Sequence, residues 1–152
     1  MKKKLVCYFS VSGRTKKVAF RLAICLQADL MEIQPLNLYT LDDLDWKNPN
    51  SRSSREMNDV NSRPEIKKQV INMDMYEQIF IGYPIWWGLA PRIINTFIED
   101  HHLEDKDIYI FATSGGSSIQ YSFEHLKESY PDLHFIDAKL MSDTMTDEEL
   151  KF

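Results

Sequence analysis

Long apolar runs are missing from this chain: none of the apolar segments among its 152 residues is longer than a β-strand. We therefore expect no helix that crosses a membrane, because a bilayer needs about 20 consecutive apolar residues. The basic start of the chain is followed by only a few apolar residues before Ser10–Arg14, too few for the core of a secretion signal. A cytoplasmic location is the expectation.

Cysteine and histidine are scarce, and basic residues are outnumbered. Cys7 and Cys25 lie in apolar-periodic segments without a C-x-x-C motif, so both are expected to be reduced core residues. Only His101 and His102 are neighbours, and adjacent helical side chains cannot converge on one metal, so no metal site is expected. A net charge of −5, from 23 acidic and 18 basic residues, disfavours nucleic acid as a partner.

What the chain has is a regular alternation of strand and helix patterns. Apolar strands are predicted at Lys4–Phe9, Leu30–Leu36, Gln78–Tyr83, Asp107–Thr113 and within Leu133–Met141. Helical spacing predicts helices at Lys16–Leu26, after Pro91 and over Ile119–Tyr130. This alternation predicts an α/β fold, a three-layer doubly wound domain over residues 1–152 with a parallel sheet covered on both faces.

One segment departs from this compact pattern. Asn37–Arg63, here called the long connection, is polar and too long for an ordinary connector, so it is expected to be functional or mobile. A short helix is predicted after it, near Glu65–Asn72.

Ligands of such folds bind beyond the carboxyl ends of the strands. Three loops leave those ends: the serine loop (Ser10–Thr15), the tryptophan loop (Tyr83–Gly88) and the glycine loop (Thr113–Ser118). The serine loop opens a helix, whose unpaired N–H groups favour an anion, and its three hydroxyls and one glycine predict a phosphate site. The alternative is that Ser12 or Thr15 merely caps the helix.

Spacing excludes several phosphate-binding proteins. Neither the Walker pattern G-x-x-x-x-G-K-[ST] nor the dinucleotide pattern G-x-G-x-x-G is present. A low-molecular-weight tyrosine phosphatase needs five residues between its cysteine and arginine, whereas six separate Cys7 from Arg14. A receiver domain needs an aspartate at the end of the third strand, where Tyr83 and Pro84 stand.

The other two loops indicate what carries the phosphate. Trp86 and Trp87 beside Gly88 form a flat apolar wall suited to a planar ring, although a surface patch or a dimer contact is the alternative. Gly115 and Gly116, flanked by serines, let backbone approach a polar ligand edge. A phosphate, a planar aromatic ring and a polar ring edge together describe flavin mononucleotide (FMN).

With these motifs the chain resembles the flavodoxin-like flavoproteins over essentially its whole length. S-V-S-G-R-T resembles their phosphate loop, and P-I-W-W-G and T-S-G-G-S-S resemble the flavin-flanking loops of a bacterial branch called flavodoxin or Trp-repressor-binding-protein-like. The resemblance implies a flavodoxin-like fold with a five-stranded parallel sheet of order 2-1-3-4-5 and non-covalent FMN.

The resemblance also implies a set of cofactor-binding residues. The phosphate would be held by Ser10, Ser12, Gly13, Arg14 and Thr15. One side of the isoalloxazine would be lined by Pro84, Ile85, Trp86, Trp87 and Gly88, with Trp86 or Trp87 against the ring. Its pyrimidine edge would meet Ser114, Gly115, Gly116 and Ser117. No side chain is assigned a catalytic role.

The chain departs from the pattern of low-potential flavodoxins, which surround the flavin with carboxylates. None of the three loops contains Asp or Glu, and Arg14 adds a positive charge. The reduced flavin is then penalised less, which predicts a midpoint well above that of ferredoxin-like carriers. This favours an FMN-dependent oxidoreductase that passes electrons from NADH or NADPH to a quinone-like or other small acceptor. The alternatives are an electron carrier that docks protein partners and a flavin-bound regulatory protein.

Two further expectations concern the periphery. Arg52, Arg55 and Arg63 of the long connection could reach over the flavin and hold an anionic substrate or a nicotinamide phosphate, although arginines in polar loops are usually solvated. The final T-D-E-E-L-K-F is shorter than the family's last helix. Part of one sheet face is therefore expected to be covered by the long connection or by the second subunit of a homodimer.

Overall fold

A computed structural model describes residues 3–152. Its five strands are β1 (Lys4–Tyr8), β2 (Asp29–Glu32), β3 (Gln78–Pro84), β4 (Asp107–Thr113) and β5 (His134–Leu140). Its helices are α1 (Arg14–Leu26), α2 (Arg52–Met57), α3 (Arg92–Asp100), α4 (Gln120–Ser129) and α5 (Asp147–Leu150), with a 3₁₀ turn at Met73–Met75. The longest of these helices has 13 residues, and none within residues 3–152 combines the length and apolar character that a bilayer crossing requires.

The strands form one parallel sheet in the order β2-β1-β3-β4-β5, which confirms the predicted fold class. β1 and β3 are neighbours, with Cys7 beside Ile81, although they are far apart in sequence. Strand order therefore reverses at β1, and the serine and tryptophan loops leave the same edge of the sheet side by side.

Successive residues of each strand contribute alternately to two separate cores, because the side chains of a strand alternate between the two faces of the sheet. Val6, Phe80 and Phe111 pack under α1 and α5, whereas Cys7 and Ile81 belong to the larger core on the opposite face. Cys7 is buried and Cys25 only half-buried, and both are free thiols, so the prediction of a core position holds for Cys7 alone.

The prediction of a helix near Glu65–Asn72 is wrong. This segment is extended, and Lys67 N donates to Gln34 O at 2.8 Å while Leu36 N donates to Glu65 O at 2.9 Å. β2 ends at Glu32, so the chain beyond it has free backbone groups that residues 65–67 satisfy by antiparallel pairing. The helix of this region is α2, inside the long connection, where the Ser51 hydroxyl accepts from Ser54 N.

The last residues of the chain cover the sheet face that was expected to need the long connection or a second subunit. α5 begins with a capping box formed by Thr146 and Glu149, and it buries Leu150. The ring of Phe152 lies 5.6 Å from that of Phe80 on β3, and Arg21 of α1 pairs with Asp147 at 2.9 Å. The long connection lies elsewhere, against α3.

Candidate functional site

The serine loop turns sharply into α1 at Gly13, which has φ +90°. The Ser10 hydroxyl accepts from Gly13 N at 3.1 Å and so shapes the loop. Within residues 3–152 no side chain caps the first turn of α1, so its N–H groups stay available to a ligand. The alternative in which Ser12 or Thr15 caps this helix is therefore wrong.

The space beside the serine loop is open. A Cβ added to Gly13 would meet no atom within 4 Å, and the side chains of Ser12 and Arg14 are exposed. The free N–H groups, the helix dipole and an exposed guanidinium form a donor set that suits a phosphate.

Thr113 connects all three loops, although it is not among the predicted site residues. Its hydroxyl lies 2.7 Å from that of Thr15, and both side chains are buried. Its carbonyl accepts from Ile85 N at 3.0 Å, and Thr113 is itself the first residue of the glycine loop. A polar residue at the last buried position of β4 is the sequence signal that points to this role.

The tryptophan loop ends in a tight hairpin. Trp86 and Leu89 exchange two backbone hydrogen bonds of 2.9 Å, and Trp87 and Gly88 between them have φ +50° and +77°. Positive φ at both central positions defines a type I′ turn, which prefers Asn-Gly or Gly-Gly. A bulky indole in this conformation is uncommon, and its presence points to a role beyond the turn.

The two tryptophans have different surroundings. Trp86 packs edge-on against Phe9 at 5.7 Å and Tyr39 at 5.5 Å, measured between ring centroids. Trp87 is 50% exposed at the tip of the hairpin. Of the two indoles, Trp87 has the freer face for a ligand ring, while Trp86 ties the tryptophan loop to the core.

In the glycine loop the Ser114 hydroxyl accepts from Gly116 N at 3.1 Å and from Ser117 N at 2.7 Å, so it organises the loop itself. Gly115 and Gly116 do not have positive φ, and a Cβ on either would meet no atom within 4 Å. Neither conformation nor neighbouring protein atoms therefore require glycine here. Close approach of a ligand edge would account for glycine at both positions.

The arginines of the long connection were expected to reach over the flavin, but two of them have other partners. The Arg52 guanidinium stacks on Tyr39, 3.7 Å from its ring centroid, and pairs with Glu56 at 3.0 Å. Arg63 pairs with Glu99 at 3.0 Å, and Arg55 is exposed. Arg52 and Arg63 thus hold the long connection in place and are not free to bind an anionic substrate.

A cavity of about 380 Å³ lies between the tryptophan loop and the long connection. Its lining residues are Val11, Leu44, Trp46, Ser53, Ile85, Trp86 and Trp87. Together with the three loops, it gives this edge of the sheet hydrogen-bond donors that suit an anion beside apolar surface that suits a planar ring. That combination is typical of doubly wound α/β proteins that bind a phosphate-bearing aromatic cofactor.

Comparison with known proteins names the family. Residues 3–152 match the flavodoxin family model, and the chain belongs to that family. A candidate flavoprotein from Bacteroides eggerthii is 49% identical, with a TM-score of 0.96 over 99% of this chain and 94% of that one. One from Bacteroides uniformis is 43% identical, with a TM-score of 0.95 over 99% and 96%.

A more distant relative was solved with its cofactor. The flavoprotein from Lactobacillus acidophilus, in complex with FMN, is 25% identical, with a TM-score of 0.79 over 99% of this chain and 100% of that one. No curated protein matches the chain. The resemblance to the flavodoxin-like, FMN-binding flavoproteins is confirmed.

Proposed function

We propose that the protein is an FMN-dependent oxidoreductase that takes electrons from reduced nicotinamide and passes them to a quinone-like or other small acceptor. The observation that carries this proposal is the uncharged cavity of about 380 Å³ beside the tryptophan loop. A small acceptor needs an apolar recess close to the cofactor, whereas a carrier that docks proteins needs only an exposed edge.

The FMN phosphate is assigned to the start of α1, where Ser10, Ser12, Gly13, Arg14 and Thr15 supply N–H groups, hydroxyls and one positive charge. Pro84 to Gly88 line one side of the ring, with Trp87 as the exposed indole. Ser114, Gly115, Gly116 and Ser117 meet the pyrimidine edge. Bound there, the flavin supplies the redox chemistry, and the chain supplies its position and its electrostatic surroundings.

Those surroundings favour two-electron chemistry. None of the three loops carries a carboxylate, and Arg14 is exposed at the start of α1. Negative charge on the reduced cofactor therefore meets little repulsion, and the flavin midpoint is expected well above that of ferredoxin-like carriers. In the net reaction the nicotinamide loses a hydride, and a quinone gains its two electrons with two protons, one of them from solvent.

Anaerobic mixing of the FMN-loaded protein with NADH and with NADPH tests the proposal. Rapid bleaching of the flavin absorbance is expected with at least one of them, and free FMN at the same concentration is the control for uncatalysed reduction. If neither nicotinamide bleaches the protein-bound flavin faster than free FMN, the oxidoreductase proposal fails.

The second candidate is an electron carrier that docks protein partners. The observation that favours it is an exposed aromatic edge formed by Trp87 and Tyr121. The Tyr121 ring lies beside the tryptophan hairpin, since a Cβ added to Gly88 would be 3.3 Å from one of its ring carbons. A very low midpoint in a redox titration, together with no reduction by nicotinamides, would favour the carrier.

A further inference from the structure

Tyr39 of the long connection lies against the tryptophan loop, although it is not among the predicted cofactor-binding residues. Its half-buried ring packs edge-on against Trp86, with 5.5 Å between ring centroids and 72° between ring planes. This T-shaped geometry is favourable for aromatic pairs. Because Trp86 opens the hairpin whose tip carries Trp87, the place of Tyr39 affects the side of the site that is assigned to the flavin ring.

Phe9 completes a cluster of three rings. Its centroid is 5.6 Å from that of Tyr39 and 5.7 Å from that of Trp86. Phe9 is 1% exposed, and its N–H donates to Gly82 O on β3, so the sheet fixes this ring. The indole of Trp86 is therefore held between one ring that the sheet supplies and one that the long connection supplies.

The ring of Tyr39 is itself held by an ion pair on α2. Its hydroxyl donates to Glu56 Oε1 at 2.6 Å, and the Arg52 guanidinium covers one face of the ring, 3.7 Å from the centroid. Arg52 Nε donates to the other carboxylate oxygen, Glu56 Oε2, at 3.0 Å. Tyr39, Arg52 and Glu56 thus form one closed unit, here called the tyrosine clamp.

Both members of the ion pair are attached to their surroundings. Arg52 Nη1 donates to Asn37 O at 2.8 Å, two residues before Tyr39. Glu56 O accepts from Arg92 at 3.3 Å, and Arg92 is buried at the start of α3. The Arg52 and Glu56 side chains are only 19% and 11% exposed, so salt screens this pair less than it screens a surface ion pair. The tyrosine clamp therefore gives the Tyr39 ring a fixed place.

The side chain of Trp86 matters to the hairpin because, among residues 3–152, backbone hydrogen bonds fix only its start to another element. Ile85 N donates to Thr113 O at this point. Beyond it, Trp86 and Leu89 bond to each other, and Trp87 between them is 50% exposed. A planar ligand that packs on a hairpin free to move must order it, and this ordering lowers affinity.

We propose that Tyr39 is a positioning residue of the cofactor site. The tyrosine clamp fixes the ring of Tyr39, this ring fixes the indole of Trp86, and Trp86 holds the hairpin that presents Trp87 to the flavin. The inference rests on the part of the proposed function that assigns FMN to the three loops, and it does not require reduction by nicotinamides. Tyr39 thus raises FMN affinity without contacting the cofactor.

The test measures FMN affinity and the order of the indoles in the full chain. FMN dissociation constants are obtained by fluorescence titration. The order of the indoles is observed by fluorine NMR of FMN-free protein labelled with fluorotryptophan. The chain has three tryptophans, and single substitutions by phenylalanine assign their resonances.

Three variants change the tyrosine clamp by different amounts. Tyr39→Leu removes the ring, Tyr39→Phe removes only the hydroxyl, and Arg52→Met breaks the ion pair and uncovers the ring face. Arg63→Met is the matched control, because Arg63 lies in the same long connection and forms an ion pair of the same length, 3.0 Å, with Glu99 of α3.

We expect Tyr39→Leu to weaken FMN binding about tenfold. Tyr39→Phe and Arg52→Met should each weaken it about fourfold, because the ring stays but loses one partner. In Tyr39→Leu the Trp86 resonance should broaden or shift toward that of free fluorotryptophan, while the Trp46 resonance stays unchanged. Arg63→Met should keep FMN affinity within about 1.5-fold of wild type and leave all three resonances unchanged.

Unchanged FMN affinity in Tyr39→Leu would overturn the proposal. An equal loss in Arg63→Met would also overturn it, because the effect would then come from general loosening of the long connection. Weakened FMN binding with an unchanged Trp86 resonance would show that Tyr39 contacts the cofactor itself. Unchanged affinity in Trp87→Ala would show that the hairpin does not face the flavin.

The failure of this proposal is distinguishable from that of the proposed function. If nicotinamides do not bleach the flavin, the oxidoreductase assignment fails, and FMN affinity and indole order still decide whether Tyr39 positions the hairpin. If bleaching occurs and the Tyr39 variants bind FMN as wild type does, only the present inference fails.

Discussion

The contact between Thr15 and Thr113 allows a direct test of how the serine and glycine loops are held together. The two hydroxyl oxygens are 2.7 Å apart, and the side chains are 1% and 7% exposed. Valine has the shape of threonine without the hydroxyl, so Thr113→Val leaves the Thr15 hydroxyl buried without this partner. We expect the free energy of unfolding to fall by about 1–3 kcal/mol, the cost of an unsatisfied buried polar group.

A double-mutant cycle isolates the contact itself. In Thr15→Val/Thr113→Val both hydroxyls are gone, so the double variant should be less destabilised than the sum of the single ones, with a coupling of about 1 kcal/mol. Thr96→Val is the matched control, because Thr96 is 7% exposed and its hydroxyl makes only a 3.4 Å contact within its own helix. It should cost less than about 0.5 kcal/mol.

The free energy of unfolding is measured by urea denaturation of the FMN-free protein. FMN affinity is measured by titration, with flavin fluorescence as the signal. Thr113→Val should also weaken FMN binding about tenfold, because loops that are no longer held together must be ordered by the ligand. The reasoning is refuted if Thr113→Val unfolds within about 0.5 kcal/mol of wild type, or if the two single effects simply add in the double variant.

Three further predictions concern packing, pH and the cofactor. Gly82→Ala should destabilise the protein in urea by about 3 kcal/mol, since its Cβ would lie 2.1 Å from the buried Phe111 ring, whereas Gly13→Ala, with φ +90° and open space, should cost only about 1 kcal/mol. Partial burial would raise the pKa of Glu99, but hydrogen bonds from Arg63 and Tyr130 outweigh it, and the pKa is lowered. Because the ionised carboxylate is the stabilising form, Glu99→Gln should destabilise the protein at neutral pH and lose its effect as pH falls below about 4. FMN at 100 times its dissociation constant should add about 2.7 kcal/mol to the free energy of unfolding, and an unchanged melting temperature would contradict specific binding.

Much of the fold follows from local pattern. The apolar run before Ser10, the helical spacing around Leu22 and the proline before α3 are read from neighbouring residues, and each predicts the element that forms. The helix predicted near Glu65–Asn72 failed because that segment pairs with the chain beyond β2, a partner about 30 residues away that local spacing cannot reveal.

The class of fold could be predicted from local pattern, because strand and helix periods are local. The three loops at one edge of the sheet could be predicted as well, because parallel strands place their carboxyl ends together. The side-chain contacts that join these loops to one another and to the core could not be predicted in this way. The fold pairs Thr113 with Thr15, packs Trp86 against the core while leaving Trp87 exposed, and places Arg52 on Tyr39. Such contacts depend on distances between residues remote in sequence, which no local pattern encodes.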